Sequence, residues 1–378
     1  VTSSALTVSA FLGKHLEKLS ETYDIYLLAN ATETEVKQHL PARARFFSMP
    51  IRRKISPAQD VIAATCLVRI FNDFRVAAVL SVGPKAGLLT ALAAKISRVP
   101  VRIHWFTGQV WSVKKGPLRL LLKLADKVIV QLNSKCLVDS HGQRDFLIAE
   151  KIGKPESLVV LGQGSISGVD TQKFRSNPNN GREVRSNFLI PLQAIVVAFL
   201  GRITSDKGIL DLAHALARIG VSPTYPTHVI WIGPDEEGLM SQVSEVLEGS
   251  AVKSHAIGKT SKPEYYLAAA DLLCLPSYRE GFGTSVIEAA SMGIPAVATN
   301  IYGLKDAVVD GLTGILVAPK ETAELSFAIQ LMIESTQLRA RMGQAALNRA
   351  RESFSHEKIG LSLLDFIEAE LYFSESFR

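Results

Sequence analysis

The stretch Leu275–Ala289 reads LPSYREGFGTSVIEA and sets two carboxylates, Glu280 and Glu288, on either side of a Gly-Phe-Gly-Thr-Ser turn. The DLLCLPS segment has the pattern of a buried strand ending at Pro276-Ser277. Gly281 and Gly283 disfavour both helix and strand, so EGFG reads as a loop. Thr284 or Ser285 is placed to cap the apolar helix that follows. Strand, glycine loop and helix N-terminus in that order make an anion cradle. Free N–H groups point outward, the helix dipole favours negative charge, and glycines let a phosphate come close. Glu288, one turn into the helix, can accept two hydroxyl hydrogen bonds, as in ribose binding, or simply complement the dipole. Glu280, ahead of the helix, can grip a sugar hydroxyl, face a developing cation, or stand solvated.

A second stretch, IVVAFLGRITSDKGI, ends a buried strand at Gly201 and then presents Arg202 and Lys207 before another helix. Two cations on a strand-end loop suit a diphosphate, or are ordinary loop charge. In the first half of the chain, IHWFTGQVW places His104 at the carboxyl end of a strand, where a ligand contact or proton transfer is expected. Trp105, Phe106 and Trp111 beside it suit stacking on a sugar or packing under a loop. SVGPKAG ends another strand with Lys85 ahead of a helix, either an anion contact or a plain turn. The chain has no Asp-x-Asp, no GxxxxGK[ST] loop, no GxSxG elbow, no HExxH and no GxGxxG in the 275–289 stretch. A metal-clamped diphosphate, P-loop phosphoryl transfer, a serine-hydrolase elbow and a zinc site are therefore not indicated, and no metal ligands are assigned.

These residues need strands to hold them. Apolar β-branched runs predict strands at Ile25–Ala29, Ala77–Val82, Val101–Trp105, Val128–Leu132, Leu158–Leu161, Ile195–Leu200, Val229–Ile232, Leu272–Leu275, Ala296–Thr299 and Gly314–Val317. Helical stretches intervene, such as Ala58–Asn72, Gly87–Ser97, Ile209–Ile219 and Thr284–Met292. Alternation of this kind implies parallel sheets covered on both faces. The polar segment GVDTQKFRSNPNNGREVRSN reads as an interdomain linker. The expected architecture is α/β, with two Rossmann-like doubly wound domains facing a cleft. Their bounds are 1–165 and 194–355, with a linker over 166–193 and a C-terminal helix, 356–378, crossing back to the first domain. Ligands in such sheets bind beyond the carboxyl ends of the strands. Val1-Thr2-Ser3-Ser4 reads as the end of a strand entering the helix Leu6–Leu19, so a few residues are expected to precede it.

The 378 residues exceed one typical core, and 47% hydrophobic with 21% charged residues fits a well-packed protein rather than a disordered one. No apolar run approaches a membrane span, and no signal-peptide pattern opens the chain, so a cytoplasmic setting is expected. Cys66, Cys136 and Cys274 are scattered, in keeping with reduced core residues. Net charge is +6 but uneven: Val1–Ser165 holds 23 Lys+Arg against 12 Asp+Glu. PIRRKISP gives Arg52, Arg53 and Lys54, and VKKGPLRLLLKLADK combines Lys114, Lys115, Arg119, Lys123 and Lys127 with leucines at helical spacing. A basic amphipathic segment can sit on an anionic bilayer, which would make the protein peripheral to the inner face of the plasma membrane, or it can be a core-packing helix with solvated lysines. No aromatic-plus-basic RNA motif appears, so nucleic acid is not expected as a partner.

Taken in order, EGFG…E, GRITSDKG, LGQGSISGVDTQKF and GIPAVATNIYGLKDAVVDGLTGILV resemble the motifs of retaining family-4 glycosyltransferases with the two-Rossmann GT-B fold. IHWFTGQVW and GSISGVD further resemble a bacterial subgroup that extends lipid-linked or surface-polysaccharide sugars. The resemblance implies transfer of a hexose or N-acetylhexosamine from a nucleotide-sugar, typically a UDP-sugar, without a metal, to a glycan or polyprenyl-diphosphate-linked acceptor. It implies that Arg202 and Lys207 neutralise the donor diphosphate and that Gly281, Phe282, Gly283, Thr284 and Ser285 line the donor through backbone groups. It also implies that Glu288 holds the ribose, Glu280 the donor sugar, Ile257 the base, and that His104 reaches the sugar from the first domain. Ser3 and Ser4 stand where many members carry two glycines, which leaves them, with Lys85, as candidate phosphate or acceptor contacts. The alternatives on the same fold are a UDP-sugar 2-epimerase and a non-catalytic nucleotide-sugar-binding protein.

Overall fold

A computed structural model describes residues 1–52, 56–220 and 226–376; Arg53 and Lys54 lie outside the described residues. The chain divides into two compact units, Val1–Gly168 with His356–Arg378, and Val169–Ser355.

In the first unit the strands are β1 (Tyr26–Ala29), β2 (Arg45–Ser48), β3 (Ala78–Val82), β4 (Val101–Phe106), β5 (Lys135–Val138) and β6 (Leu158–Val160). All pair in parallel, β1 with β2 and, separately, in the order β3-β4-β5-β6. Thr2 bridges both Ala29 and Val82, so the first residues tie the two ladders together. The helices are α1 (Gly13–Leu19), α2 (Pro57–Asp73), α3 (Pro84–Ile96), α4 (Gly116–Leu132) and α5 (His141–Ala149). The β-branched run Val128–Leu132, expected as a strand, is the last turn of α4, and the strand is the neighbouring Lys135–Val138. Ile129 and Val130 are buried by helix packing, which overrides their preference for a pleated strand.

The second unit is built on β7 (Ile195–Leu200), β8 (Thr227–Ile232), β9 (Lys253–Gly258), β10 (Leu272–Leu275), β11 (Ala296–Thr299) and β12 (Gly314–Val317). Its six strands are all parallel, in the order β12-β11-β10-β7-β8-β9. Its helices are α6 (Pro178–Asn187), α7 (Ile209–Ala217), α8 (Met240–Leu247), α9 (Thr284–Ser291), α10 (Thr322–Glu334) and α11 (Thr336–Ser353). β7, β8 and β10 are apolar along nearly their whole length because both sheet faces are covered.

The segment expected as a linker is not one along most of its length. Val169, Phe174, Val184 and Ile190 are buried in the second unit's core, and Asn177 caps α6 by accepting the Asn180 N–H. Arg185 holds α6 to the sheet through Asp271, at 2.8 Å. The polar composition belongs to the outer faces of these turns. The last helix, α12 (His356–Ser376), returns to the first unit, where it packs on α1. Where unit two begins and ends, Val169 and Ser355 form a parallel bridge, with the Val169 N–H on the Phe354 carbonyl at 2.7 Å.

Candidate functional site

Numbered within the second unit, the strand order is 6-5-4-1-2-3, so the order reverses between β7 and β10. The carboxyl ends of those two strands form a topological switch point, where open α/β sheets bind ligands. The loops leaving them carry GRITSDKG and PSYREGFG, and the two loops are locked together. Gly208 is left-handed, with φ 67°, and closes the turn Ser205–Lys207 before α7. A Cβ there would overlap the Pro276 carbonyl, so only glycine permits the approach. The Tyr278 N–H donates to the Asp206 carbonyl at 2.9 Å, and the Tyr278 hydroxyl to Asp211 at 2.6 Å. Burial would raise the Asp206 carboxyl, but the hydroxyl of Thr204 and the guanidinium of Arg279 more than offset it and hold it low.

At the centre of this joint the Lys207 ammonium lies 2.5 Å from Glu280 Oε1, with the two side chains 15% and 13% exposed. Ser277 Oγ donates to the same oxygen at 2.8 Å, and the Thr299 hydroxyl donates to the Ser277 carbonyl. Glu280 is thus an oriented carboxylate rather than a solvated loop residue. A Cβ on Gly303 would overlap the Glu280 carbonyl, so the turn after β11 closes over the back of the same loop.

Arg202 stands at the end of β7 and pairs with Glu236 at 2.8 Å, at a side-chain exposure of 39%. An exposed pair of this kind is worth little, so the guanidinium can exchange its partner for a phosphate. Next to it the strand ends are bare of side chains. Gly233, with φ 144°, follows β8, and a Cβ there would overlap the Gly201 carbonyl. The Gly233 N–H reaches the Gly258 carbonyl at the end of β9, at 3.0 Å. Ile257 is half-buried and packs against the core.

The helix after EGFG begins at Thr284, and its N-cap is Gly283, with no side-chain cap. The expectation that Thr284 or Ser285 caps it is therefore corrected. Val286 and Ile287 N–H groups turn back to the Gly283 carbonyl instead. Gly283 is also fixed by packing, since a Cβ there would press on Leu304, Ala307 and Val286. Phe282 is buried against Phe354, ring centres 5.2 Å apart, so its side chain belongs to the core.

Glu288 is half-buried on α9 and faces a different set of charges. Burial pushes its carboxyl up to about 8; the Lys173 ammonium opposes this and the Glu264 carboxylate adds to it. Lys173 and Glu264 are themselves 3.6 Å apart. The structure therefore groups Lys207 with Glu280, and Glu288 with Lys173 and Glu264. Lys173, Glu264, Asp211 and Thr299 escaped the sequence reading because each comes from a segment distant from the glutamate it serves; Asp206 adjoins Lys207, and only its contacts single it out. Ser277 and Tyr278 lie within the opening stretch, and only their contacts single them out.

The first-unit candidates fare differently. His104 lies in mid-ladder, in register with Ser81 and Cys136, and is 1% exposed. Its Nδ1 is 3.0 Å from the Ser81 hydroxyl and its ring meets Phe106 edge-on. The ring fills the space a Cβ on Gly87 would need. Burial, with the charge of the N-terminus adding to it, lowers its pKa to about 3, so it is neutral. A ring enclosed this way packs α3 on the sheet; the expected sugar contact is corrected. Trp105 and Trp111 are also buried, the latter donating to Asp126 at 2.7 Å, so of the two roles open to them the structure shows packing. Lys85 pairs with Asp60 at 2.5 Å. Ser4 accepts the Thr7 N–H as a helix cap, and Ser3 lies beside Gly83, the turn ahead of α3. Among the described residues no group of three His, Cys, Asp or Glu could hold a metal ion.

Most of the second unit matches a family model. Residues 181–349 match the model described as glycosyl transferases group 1. Within this matched segment the switch-point loops carry the Lys207–Glu280 pair, and α9 carries Glu288. Over 312 residues the chain is 28% identical to the capsular polysaccharide biosynthesis glycosyltransferase CapM of Staphylococcus aureus, covering 82% of this chain and 81% of CapM. It is 24% identical to the Escherichia coli UDP-Gal:alpha-D-GlcNAc-diphosphoundecaprenol alpha-1,3-galactosyltransferase over 302 residues, 79% of this chain and 77% of that one. It also matches the D-inositol 3-phosphate glycosyltransferase of Corynebacterium efficiens at 34% identity, over 61% of this chain but only 55% of that protein. Among solved structures, Anabaena Alr3699/HepE in complex with UDP and glucose superposes with a TM-score of 0.80 at 20% identity, covering 97% of this chain and 98% of that one. WaaG, a glycosyltransferase involved in lipopolysaccharide biosynthesis, gives 0.70 at 14%, over 96% and 95%. The fold is GT-B, with parallel α/β sheets as expected.

Proposed function

We propose that the protein is a retaining glycosyltransferase that moves a hexose or N-acetylhexosamine from a UDP-sugar to a glycan or lipid-diphosphate-linked acceptor in bacterial surface-polysaccharide assembly. The observation that carries the reading is the Lys207–Glu280 pair held at the switch point of a group 1 domain. CapM and the undecaprenol-linked galactosyltransferase support the pathway and the acceptor class, and HepE with UDP and glucose supports the donor.

In this reading the donor diphosphate takes Lys207 and Arg202 as counter-charges, and backbone groups of the Gly281–Ser285 turn line the donor. Glu280, held by Ser277, binds hydroxyls of the departing sugar, and Glu288 those of the ribose. Glycosyl transfer passes through an oxocarbenium-like state while charge grows on the leaving diphosphate. Fixed cations therefore favour the transition state over the ground state and need no metal ion. The acceptor hydroxyl attacks the face the diphosphate leaves and passes its proton toward the leaving phosphate, so the anomeric configuration is kept. Proton NMR of fresh product tests this: a product of inverted configuration overturns the assignment. Incubation with donor alone tests transfer itself, since an epimerised sugar nucleotide would point to the 2-epimerase chemistry available on this fold.

A further inference from the structure

Helix α4 buries Ile129 and Val130 and packs Leu122 on the core, yet it also exposes apolar side chains that a solvated helix would bury. Its polar groups turn toward the protein: Asp126 accepts from buried Trp111, and Arg119 and Lys123 close on Glu150 at 2.9 and 2.5 Å. Four of its leucines turn outward: Leu118, Leu120, Leu121 and Leu124 are 49%, 71%, 56% and 56% exposed. A surface helix ordinarily buries its apolar stripe. The neighbouring α3, which packs against both α2 and α4, exposes Leu92 and Ile96, and α2 exposes Val61 and Ile62. One helical layer of the first unit thus carries exposed large apolar side chains on each of its three helices, more than scattered surface residues explain.

Cations surround them. Lys114 and Lys115 lead into α4, Lys127 lies three residues beyond Leu124, and Lys95 and Arg98 sit at the end of α3, all exposed or half-exposed. The acidic groups on the same elements are engaged: Asp126 by Trp111, Asp60 by Lys85, and Asp73 by Arg69 at 3.5 Å. Apolar side chains framed by uncompensated lysines match a bilayer with an anionic surface, where the leucines enter the headgroup boundary and the lysines meet phosphates.

We propose that the α2–α3–α4 face of the first unit docks on an anionic lipid bilayer, with α4 lying in the interface plane. This stands on the first unit alone and holds whatever sugar the second unit uses. The test is co-sedimentation of the full chain with phosphatidylglycerol-containing vesicles and with pure phosphatidylcholine vesicles, at low and high salt. Expected is binding to the anionic vesicles at least tenfold tighter than to neutral ones and weakened by salt. L120S/L121S/L124S should reduce it more than tenfold with unchanged circular dichroism, and K114E/K115E/K127E should remove the salt-dependent part. Should the leucine variant misfold, L120C and L124C, each in a C66S background and carrying a polarity-sensitive dye, must shift blue on anionic vesicles. Equal binding by the folded leucine variant overturns the proposal. So does a wild-type dimer in gel filtration that the leucine substitutions dissociate, which would give the face to a second copy.

Discussion

Removing Lys207 leaves the Glu280 carboxylate dry and short of its ammonium, held only by the Ser277 hydroxyl. Breaking one side of a buried pair costs more than removing both. Lys207→Ala should therefore lower Tm by more than K207A/E280A does, while each single variant drops turnover well over tenfold; near-normal rates would refute both roles. Ser277→Ala frees the Glu280 rotamer and should lower kcat by about tenfold with little change in nucleotide affinity, within the usual range for lost positioning. Glu288 carries a different cost. Its folded pKa of about 8 lies above its ordinary value of 4.5. Both states are neutral below pH 4.5; as pH rises toward 8 the unfolded chain ionises first, and stability is lost over that window. Glu288→Gln should raise Tm increasingly from pH 5 to pH 8, level off above it, and weaken nucleoside-diphosphate binding, read by thermal shift with and without UDP. A Tm gain that is flat with pH would contradict this. His104→Ala should cost stability by opening a cavity under α3 and leave the donor KM of the folded enzyme unchanged; a raised donor KM would restore the sugar contact.

At the scale of elements, the donor site depends on glycines that let loops touch. Gly208→Ala must place a Cβ against the Pro276 carbonyl in a left-handed residue, a strain of about 1–2 kcal/mol before the overlap is counted. Loss of UDP-dependent thermal stabilisation at intact secondary structure is expected, and retained binding would show that the two loops move independently. The sequence made most of this frame legible. Buried strands announce themselves as apolar runs, and β7, β10, β11 and β12 fall where they were expected. β9 does not announce itself: KSHAIG is an edge strand whose side chains are largely exposed, so no apolar alternation marks it. The end of α4 misleads for the converse reason, a β-branched run buried by a helix. His104 was placed on the right strand but not in the right layer, because position along a strand says nothing of what packs over it. Glu264 and Lys173 come to Glu288 only through the tertiary fold, and no spacing in the chain reveals them.

For the molecule as a whole, the division at Gly168–Val169 and Ser355–His356 leaves each unit with its own core. The residues proposed to hold the donor all lie in Val169–Ser355. That segment expressed alone should therefore bind UDP, seen as a concentration-dependent rise in Tm, while transferring no sugar. An inert isolated segment would move essential donor contacts into the first unit. The bridge between Val169 and Ser355 puts the two ends of this segment one strand spacing apart, roughly 5 Å. In architectural terms the second unit is a cassette, inserted in the chain between two neighbouring ends. A chain re-cut to begin at a surface turn such as Gly249, with Val169 and Ser355 joined by a short glycine linker, keeps every strand of that sheet in order. If the proposed donor site is right, exchanging this segment between relatives at those two junctions exchanges the donor residues as one piece.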